Sequence, residues 1–86
     1  MRPMNVTLKL FATLGDYLPP GAKRNEVGRE VNEGATVRDV LDSLSVPIEK
    51  CHLILINGVY LAPKRAAQRQ LLAGDTVAVW PPVAGG

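Results

Sequence analysis

The sequence predicts an α+β fold in which a mixed sheet of four or five strands carries one main helix packed on one face. Several short segments alternate polar and apolar residues or are rich in β-branched and aromatic residues, as strands are. One segment places its apolar residues at helical spacing. A chain of 86 residues is the length of a single domain with a small core.

The first two predicted strands lie near the amino terminus. Residues 5–11 alternate polar and apolar side chains, which places Phe11 on the outer face. The inward residues are Val6, Leu8 and Leu10. Proline and glycine at residues 18–25 indicate a loop. Residues 26–31 form a second strand of weaker pattern, in which Gly28 lowers the strand propensity or marks a bulge.

The helix is predicted from about Thr36 to Ser45. Thr36 is suited to cap its amino terminus, and Asp39, three residues later, lies near the positive end of the helix dipole. One face carries the apolar residues Val37, Val40, Leu41 and Leu44. Pro47 disfavours helical geometry at the residue before it, so the helix should end before Pro47.

The remaining strands follow the helix. Residues 53–56 are an apolar run typical of an interior strand, and Asn57-Gly58 predicts a two-residue hairpin turn that leads into residues 59–61. Residues 76–80 form the closing strand. The order strand, strand, helix, strand, short strand, strand is that of the β-grasp arrangement, in which the first and last strands are parallel neighbours at the sheet centre.

The carboxyl-terminal segment follows the closing strand. Pro81 and Pro82 lack backbone donors, so the strand should stop there. We expect Val83, Ala84, Gly85 and Gly86 to be mobile, because they offer little to pack. Two glycines without Cβ atoms suit a narrow site, and five extended residues reach about 17 Å. One interpretation of this segment is that its terminal carboxylate, on Gly86, is the reactive group. The alternative is a frayed terminus without a chemical role.

Residues 75–86, DTVAVWPPVAGG, resemble the end of the small subunit of molybdopterin synthase. The chain is accordingly identified as a member of the MoaD/ThiS-like sulfur-carrier family, whose proteins are ubiquitin-like. The resemblance implies a β-grasp domain at residues 1–81 and a flexible Gly-Gly tail at residues 82–86. It also implies that Gly85 and Gly86 carry the reaction, while Pro81, Pro82, Val83 and Ala84 provide reach into a partner.

The partners are also implied by this resemblance. A ubiquitin-activating-type adenylyltransferase, using ATP and magnesium, adenylates Gly86, and a persulfide donor then converts it to a thiocarboxylate. The large subunit of molybdopterin synthase, or an equivalent enzyme, binds the sulfur acceptor. The chain itself binds no cofactor or metal and is not catalytic alone; it is the small sulfur-donating subunit of a molybdopterin-synthase-type sulfurtransferase.

Three alternatives to this pathway remain open. The resemblance of the tail, PPVAGG, favours dithiolene formation in molybdopterin or tungstopterin synthesis over thiamine thiazole synthesis, which is the first alternative. The loop at residues 16–25 is longer than in compact small subunits, so another sulfur-requiring pathway also stays open. The same tail also suits a protein modifier that is conjugated to lysines through Gly86. The third alternative is a β-grasp interaction module without tail chemistry.

The side chains offer few other sites. With one cysteine and one histidine there is no catalytic triad or metal-ligand spacing. Cys51 is interpreted as a packing residue rather than as the sulfur carrier, because the family uses the terminal carboxyl. Lys64, Arg65 and Arg69 are either a solvated loop or a docking patch for an acidic partner.

Phe11 and Trp80 are predicted to meet beside the root of the tail. The strand alternation sends Trp80 to the face opposite Val77 and Val79. If the first and last strands are parallel neighbours, both rings lie near one edge of the open face. They either shelter under the loop at residues 12–20 or form a partner contact, and we favour the contact.

Composition limits the other possibilities. The net charge of +2 is small and the basic residues are dispersed, so nucleic-acid binding is not indicated. No apolar run approaches the length of a membrane span. The single cysteine fits a reducing compartment, and the expected location is the cytoplasm.

Overall fold

The computed structural model describes residues 2–82. These residues form one five-stranded sheet of order β2-β1-β5-β3-β4. The strands are β1 (Pro3–Leu10), β2 (Glu26–Asn32), β3 (Leu53–Ile56), β4 (Val59–Leu61) and β5 (Thr76–Trp80), and the helix α1 is Val37–Ser43. Short 3₁₀ turns lie at Ala12–Tyr17, Ile48–Lys50 and Pro63–Arg65. The predicted α+β, β-grasp fold is confirmed.

The two central strands are parallel, as predicted. In this pair Leu8 lies beside Val77 and Leu10 beside Val79, and all four side chains are fully buried. The other strand pairs are antiparallel. The core therefore lies between the helix and the face of the sheet that carries the alternate apolar residues.

The second strand contains no bulge at Gly28. Its pairing with β1 runs without interruption from Lys9 opposite Glu26 to Pro3 opposite Asn32, and Gly28 lies opposite Thr7. The bulge interpretation of this glycine is therefore wrong. An added Cβ at Gly28 would meet no atom within 4 Å, so neither crowding nor strand geometry requires a glycine at this position.

The helix begins as predicted and ends earlier. Thr36 Oγ1 accepts a hydrogen bond from Asp39 N, and Asp39 Oδ2 accepts one from Thr36 N, which completes a capping box. At the other end Ser45 adopts a positive φ of 61°. Ser45 N donates to Asp42 O and Val46 N donates to Leu41 O, which is a Schellman motif. This motif, rather than Pro47, ends the helix.

A buried polar cluster fixes the start of β5. The carboxylate of Asp75 accepts hydrogen bonds of 2.8 Å from Asn57 Nδ2 and from Leu72 N, and its Oδ2 lies 3.6 Å from Arg69 Nη2. Asn57 Oδ1 in turn accepts from Thr76 N at 2.9 Å. The positive φ values of Asn57 and Gly58 are those of the predicted hairpin turn. The hairpin tip is thus tied to the first residue of β5.

These contacts set the ionisation of the cluster. Burial by itself raises the pKa of the Asp75 carboxyl. The hydrogen bonds from the Leu72 N–H and the Asn57 amide, together with the charge of Arg69, outweigh burial and hold the pKa below its ordinary value. Asp75 is therefore a carboxylate at neutral pH.

Candidate tail root and docking face

The final strand is held on both sides up to its last residue. Phe11 N donates a 3.1 Å hydrogen bond to Val79 O, and His52 N donates one of 2.9 Å to Trp80 O. Pro81 and Pro82 follow outside any strand, as predicted. The tail root, defined as Trp80, Pro81 and Pro82, is therefore attached to the centre of the sheet.

The predicted reactive segment lies beyond this root. Val83, Ala84, Gly85 and Gly86 are outside the described residues, so their predicted roles in reach and in reaction stay predictions. Pro81 and Pro82 are described, but their predicted contact with a partner is likewise a prediction. What the geometry fixes is the point on the sheet from which the segment departs.

Phe11 and Trp80 stack beside the tail root. Their ring centroids are 4.4 Å apart and the ring planes differ by 9°. Both side chains are half-buried. The two rings therefore lie together beside the tail root, and they form one continuous apolar surface of the kind that partner proteins contact.

The sheet register extends this surface across the open face. Leu53 lies opposite Trp80, and Leu55 lies opposite Ala78 in β5 and Tyr60 in β4. Residues that lie opposite each other on adjacent strands point to the same face of the sheet. The alternate positions point to the helix-covered face and are buried: Ile54, Ile56, Val77 and Val79. We define the docking face as Phe11, Leu53, Leu55, Tyr60, Ala78 and Trp80.

The sequence predicted a partner contact for only two members of this face, Phe11 and Trp80. Tyr60 is 60% exposed, and Leu53, Leu55 and Ala78 are half-buried. The hairpin signal at Asn57-Gly58 contained the missing information, because a two-residue turn fixes which residues of the two strands lie opposite each other. The continuous apolar run at residues 53–56 shows no alternation, so the sequence pattern does not indicate that Leu53 and Leu55 lie on the open face.

The backbone before Phe11 is clamped by the loop at residues 16–25. Leu10 N donates a 2.9 Å hydrogen bond to Asn25 O, and Asn25 Nδ2 donates one of 2.9 Å to Leu10 O. Asn25 and Ala12 both have positive φ, 66° and 52°. The chain therefore turns sharply straight after Phe11, and Asn25 fixes the residue in front of it.

The three predicted docking charges differ in their surroundings. Arg69 is half-buried and pairs with Asp75, and it lines a groove beside β4. Lys64 and Arg65 are exposed and border a depression together with Gln68. Arg69 N donates a 3.1 Å hydrogen bond to Arg65 O, so the two arginines lie one turn apart. The docking role of all three residues stays a prediction.

Cys51 has the surroundings of a packing residue. It is 3% exposed, and its Sγ lies 3.5 Å from Pro47 O. Burial raises the pKa of the Cys51 thiol to about 11; the positive charge of Arg38 opposes this, and Glu49 adds to it. A buried, protonated thiol is a poor nucleophile, while the adjacent His52 is exposed.

Membrane-spanning helices and clusters of metal ligands are both absent from residues 2–82. No helix in this part of the chain is long and apolar enough to cross a membrane. The same residues contain no group of three or more histidine, cysteine, aspartate or glutamate side chains placed to hold a metal ion.

Solved structures with the same fold come from archaea. The chain is 32% identical to the HVO 2177 protein of Haloferax volcanii, with 98% of this chain and 88% of that one covered and a TM-score of 0.74. It is 28% identical to a putative molybdopterin converting factor, subunit 1, from Pyrococcus furiosus, with 93% and 99% coverage and a TM-score of 0.67.

A third structure is the small archaeal modifier protein 1 of Methanosarcina acetivorans, with 25% identity, complete coverage of both chains and a TM-score of 0.68. No curated protein sequence matches the chain significantly. The profile of the family described as Mut7-C ubiquitin matches residues 3–85. The chain therefore belongs to the Mut7-C ubiquitin family, a group of MoaD/ThiS-like, ubiquitin-like proteins.

Proposed function

We propose that this protein is a sulfur carrier whose Gly86 carboxylate is converted to a thiocarboxylate and then donates sulfur in cofactor biosynthesis. The observation that carries the proposal is the tail root: the Gly-Gly segment departs from a rigid central strand beside the stacked rings of Phe11 and Trp80. The similarity to a putative molybdopterin converting factor, subunit 1, supports it.

The chemistry requires activation, because a carboxylate is a poor electrophile at neutral pH. A ubiquitin-activating-type enzyme joins the Gly86 carboxylate to the α-phosphate of ATP and releases pyrophosphate, with magnesium neutralising the phosphates. A persulfide then attacks the acyl carbon and AMP leaves. A second thiol cleaves the resulting acyl disulfide, which leaves a thiocarboxylate on Gly86 and a disulfide between the donor and that thiol.

The described residues contribute position rather than catalysis. The docking face provides apolar area and the tail root fixes where the segment starts, so a partner that covers Trp80 receives the tail at a defined place. Cys51 stays protonated in the core and takes no part. Dithiolene formation in molybdopterin or tungstopterin synthesis, with the large synthase subunit as acceptor enzyme, is the proposed use.

A second function is favoured by a specific similarity. Small archaeal modifier protein 1 from two archaea shares the fold at 25% and 29% identity. A modifier needs the same activation of Gly86 but transfers the acyl group to a lysine amine instead of replacing oxygen by sulfur. The two functions therefore differ in the product formed at Gly86 and not in the folded domain.

Intact mass spectrometry tests the proposal. The parent, a Gly86 deletion and Cys51→Ala are incubated with an activating enzyme, ATP, magnesium and a persulfide donor. We expect one sulfur-for-oxygen exchange in the parent and in Cys51→Ala, and none in the deletion, whose carboxylate is displaced by about 3.5 Å. Loss of sulfur in Cys51→Ala alone would transfer the carrier role to the thiol.

The same samples separate the carrier from the modifier. Lysine-linked conjugates that form with parent protein in a cell extract, without any thiocarboxylate, favour the modifier. Thiocarboxylate without conjugates favours the carrier. Equal behaviour of the parent and the Gly86 deletion in both assays would leave an interaction module without tail chemistry.

A further inference from the structure

The segment that contains the edge strand β4 carries no acidic residue. Residues 50–74 contain four basic and no acidic residues. Among the four, Lys50 Nζ lies 3.2 Å from Tyr17 Oη, and Arg69 pairs with the buried Asp75. Lys64 and Arg65 therefore supply the positive charge that follows β4 in the chain.

The edge strand β4 also exposes apolar side chains. Val59 is 68% exposed and Tyr60 is 60% exposed. Beside them lies a groove of about 260 Å³, lined by Ile56, Asn57, Val59, Tyr60, Leu61 and Arg69. Large hydrophobic side chains at an uncovered edge are a site where a partner strand can be added.

The hairpin determines which backbone groups face this edge. Ile56 lies opposite Val59 across a two-residue turn, and such a pair exchanges both of its hydrogen bonds within the hairpin. Hydrogen-bonded and non-hydrogen-bonded pairs alternate along an antiparallel ladder, so the next residue, Tyr60, forms no backbone hydrogen bonds with β3. Its N–H and C=O therefore point away from β3. An incoming strand can therefore form two hydrogen bonds with Tyr60.

Two exposed cationic side chains follow β4 in the chain. Lys64 and Arg65 follow β4 in the short turn Pro63–Arg65 and are exposed. Neither takes part in the two salt bridges found among the described residues, Arg38–Asp42 and Arg69–Asp75. Their charge is thus available to carboxylates of a bound segment.

We propose that the β4 edge, defined as Val59, Tyr60, Lys64 and Arg65, binds an extended segment of a partner protein in which carboxylate and apolar side chains alternate. The segment pairs with Tyr60, its apolar side chains enter the groove beside Val59, and its carboxylates meet Lys64 and Arg65. This surface goes beyond the tail chemistry, because it holds a partner whatever reaction occurs at Gly86.

Other occupants fit the same surface less well. A second copy pairing through its own β4 offers no carboxylate to Lys64 and Arg65, because residues 50–74 contain no acidic residue. Nucleic acid is bound through many phosphate contacts, whereas this edge offers two unpaired cations and apolar groups. An acidic, strand-forming protein segment matches the hydrogen bonds, the groove and the charge together.

The test is an NMR titration of the full chain, labelled with nitrogen-15, in the absence of ATP and any enzyme. The probe is an acetylated, amidated peptide of alternating glutamate and valine. We expect saturable shifts confined to residues 59–61 and 64–69 that weaken as salt is added. Control peptides carry lysine in place of glutamate, or N-methylated valines that cannot donate to a strand edge, and both should bind much more weakly.

Matched variants sharpen the result. Lys64→Glu with Arg65→Glu should raise the peptide Kd about tenfold, the size expected when two exposed charges are reversed. Lys23→Glu with Arg24→Glu makes the same charge change at two exposed residues before β2 and should leave the Kd unchanged. Both pairs lie on exposed loops, so folding is retained and can be checked in the same spectra.

Several outcomes would overturn the proposal. These are the absence of saturable shifts, equal binding of the lysine or N-methylated peptide, equal loss in both variant pairs, and shifts centred on Trp80 instead of Tyr60. Concentration-dependent dimerisation through β4 in sedimentation would assign the edge to a second copy, and equal shifts with a uridine oligonucleotide would assign it to nucleic acid. None of these measurements depends on sulfur loading, so failure here leaves the tail proposal standing.

Discussion

The two ends of β5 are built in opposite ways. At its start Asp75 is buried and accepts hydrogen bonds from Asn57 and Leu72 beside the Arg69 guanidinium. At its end Trp80 is half-buried and stacks on Phe11. Polar groups therefore close one end against the fold, while apolar rings remain partly open to a partner at the other.

We therefore expect the two ends of this short strand to affect different properties, namely folding stability at its start and partner binding at its end. A satisfied buried polar cluster stabilises a single arrangement and leaves little for a ligand to gain. A partly exposed apolar surface, by contrast, releases water when a partner covers it, and this release favours binding. Substitutions at the start of β5 should therefore act on unfolding, and substitutions at its end should act on binding.

The largest expected effect is at Asp75. Asp75→Ala leaves the Asn57 amide and the Leu72 N–H without their acceptor and removes the ion-pair partner of Arg69, so we expect a loss of about 2–4 kcal/mol in the free energy of unfolding. Urea unfolding measures this loss. Asp42→Ala removes an exposed carboxylate that pairs with Arg38 and should cost under about 0.5 kcal/mol. Equal costs for the two would contradict the cluster's role.

The same carboxylate makes stability depend on pH. Because the folded-state pKa of Asp75 lies below its ordinary 3.8, the unfolded state binds the proton more readily. The contribution of Asp75 is therefore present above the unfolded pKa and is lost as pH falls through the folded pKa. The urea midpoint of the parent should fall below about pH 5 more steeply than that of Asp75→Ala; parallel curves would contradict this.

Trp80 tests the other end of the strand. Trp80→Lys should weaken docking to the activating enzyme by about tenfold or more, as at a hot-spot residue, while unfolding changes by about 1 kcal/mol through loss of the ring stack. In an ATP–pyrophosphate exchange assay the effect should appear mainly in KM.

Thr76→Lys is the matched control, at the opposite end of the same strand and on the same face. It should leave KM unchanged. A KM effect of equal size in the two variants would mean that any added charge on this face disturbs docking, and that the aromatic stack has no special part in it.

The sequence predicted what depends on local pattern. Alternation placed Leu8 and Leu10 in the core, helical spacing placed Val40 and Leu41 there, and the hairpin turn at Asn57 was recognised from two residues. Each of these is decided within a few positions of the chain. The parallel central pair followed from element order and from the family resemblance together.

What the sequence did not predict depends on contacts between distant residues. The buried position of Asp75 was not predicted, because its partner Asn57 lies 18 positions away. The ion pair of Arg69 with Asp75 was not predicted either, because the two residues belong to different segments of the fold. Tyr60 joined the docking face only when the sheet register set it opposite Leu55.

The smallest expected effect concerns Asn25, which reaches Trp80 only through Leu10 and Phe11. Asn25→Gly keeps a backbone that favours positive φ and keeps the carbonyl that accepts from Leu10 N, but it removes the amide that donates to Leu10 O. The expected loss is about 1 kcal/mol in unfolding, the size of one hydrogen bond.

The informative signal is optical, because Trp80 is the single tryptophan of the chain and its ring reports the stack directly. If Asn25 positions Phe11, then Asn25→Gly should increase quenching of Trp80 fluorescence by acrylamide at a denaturant concentration where the protein remains folded. Asn32→Gly, at an exposed asparagine at the far end of β2, should cost similar stability without that increase. Equal quenching in both variants would show that the loop stabilises the fold without positioning the aromatic stack, and the strained turn after Phe11 would then serve only to redirect the chain.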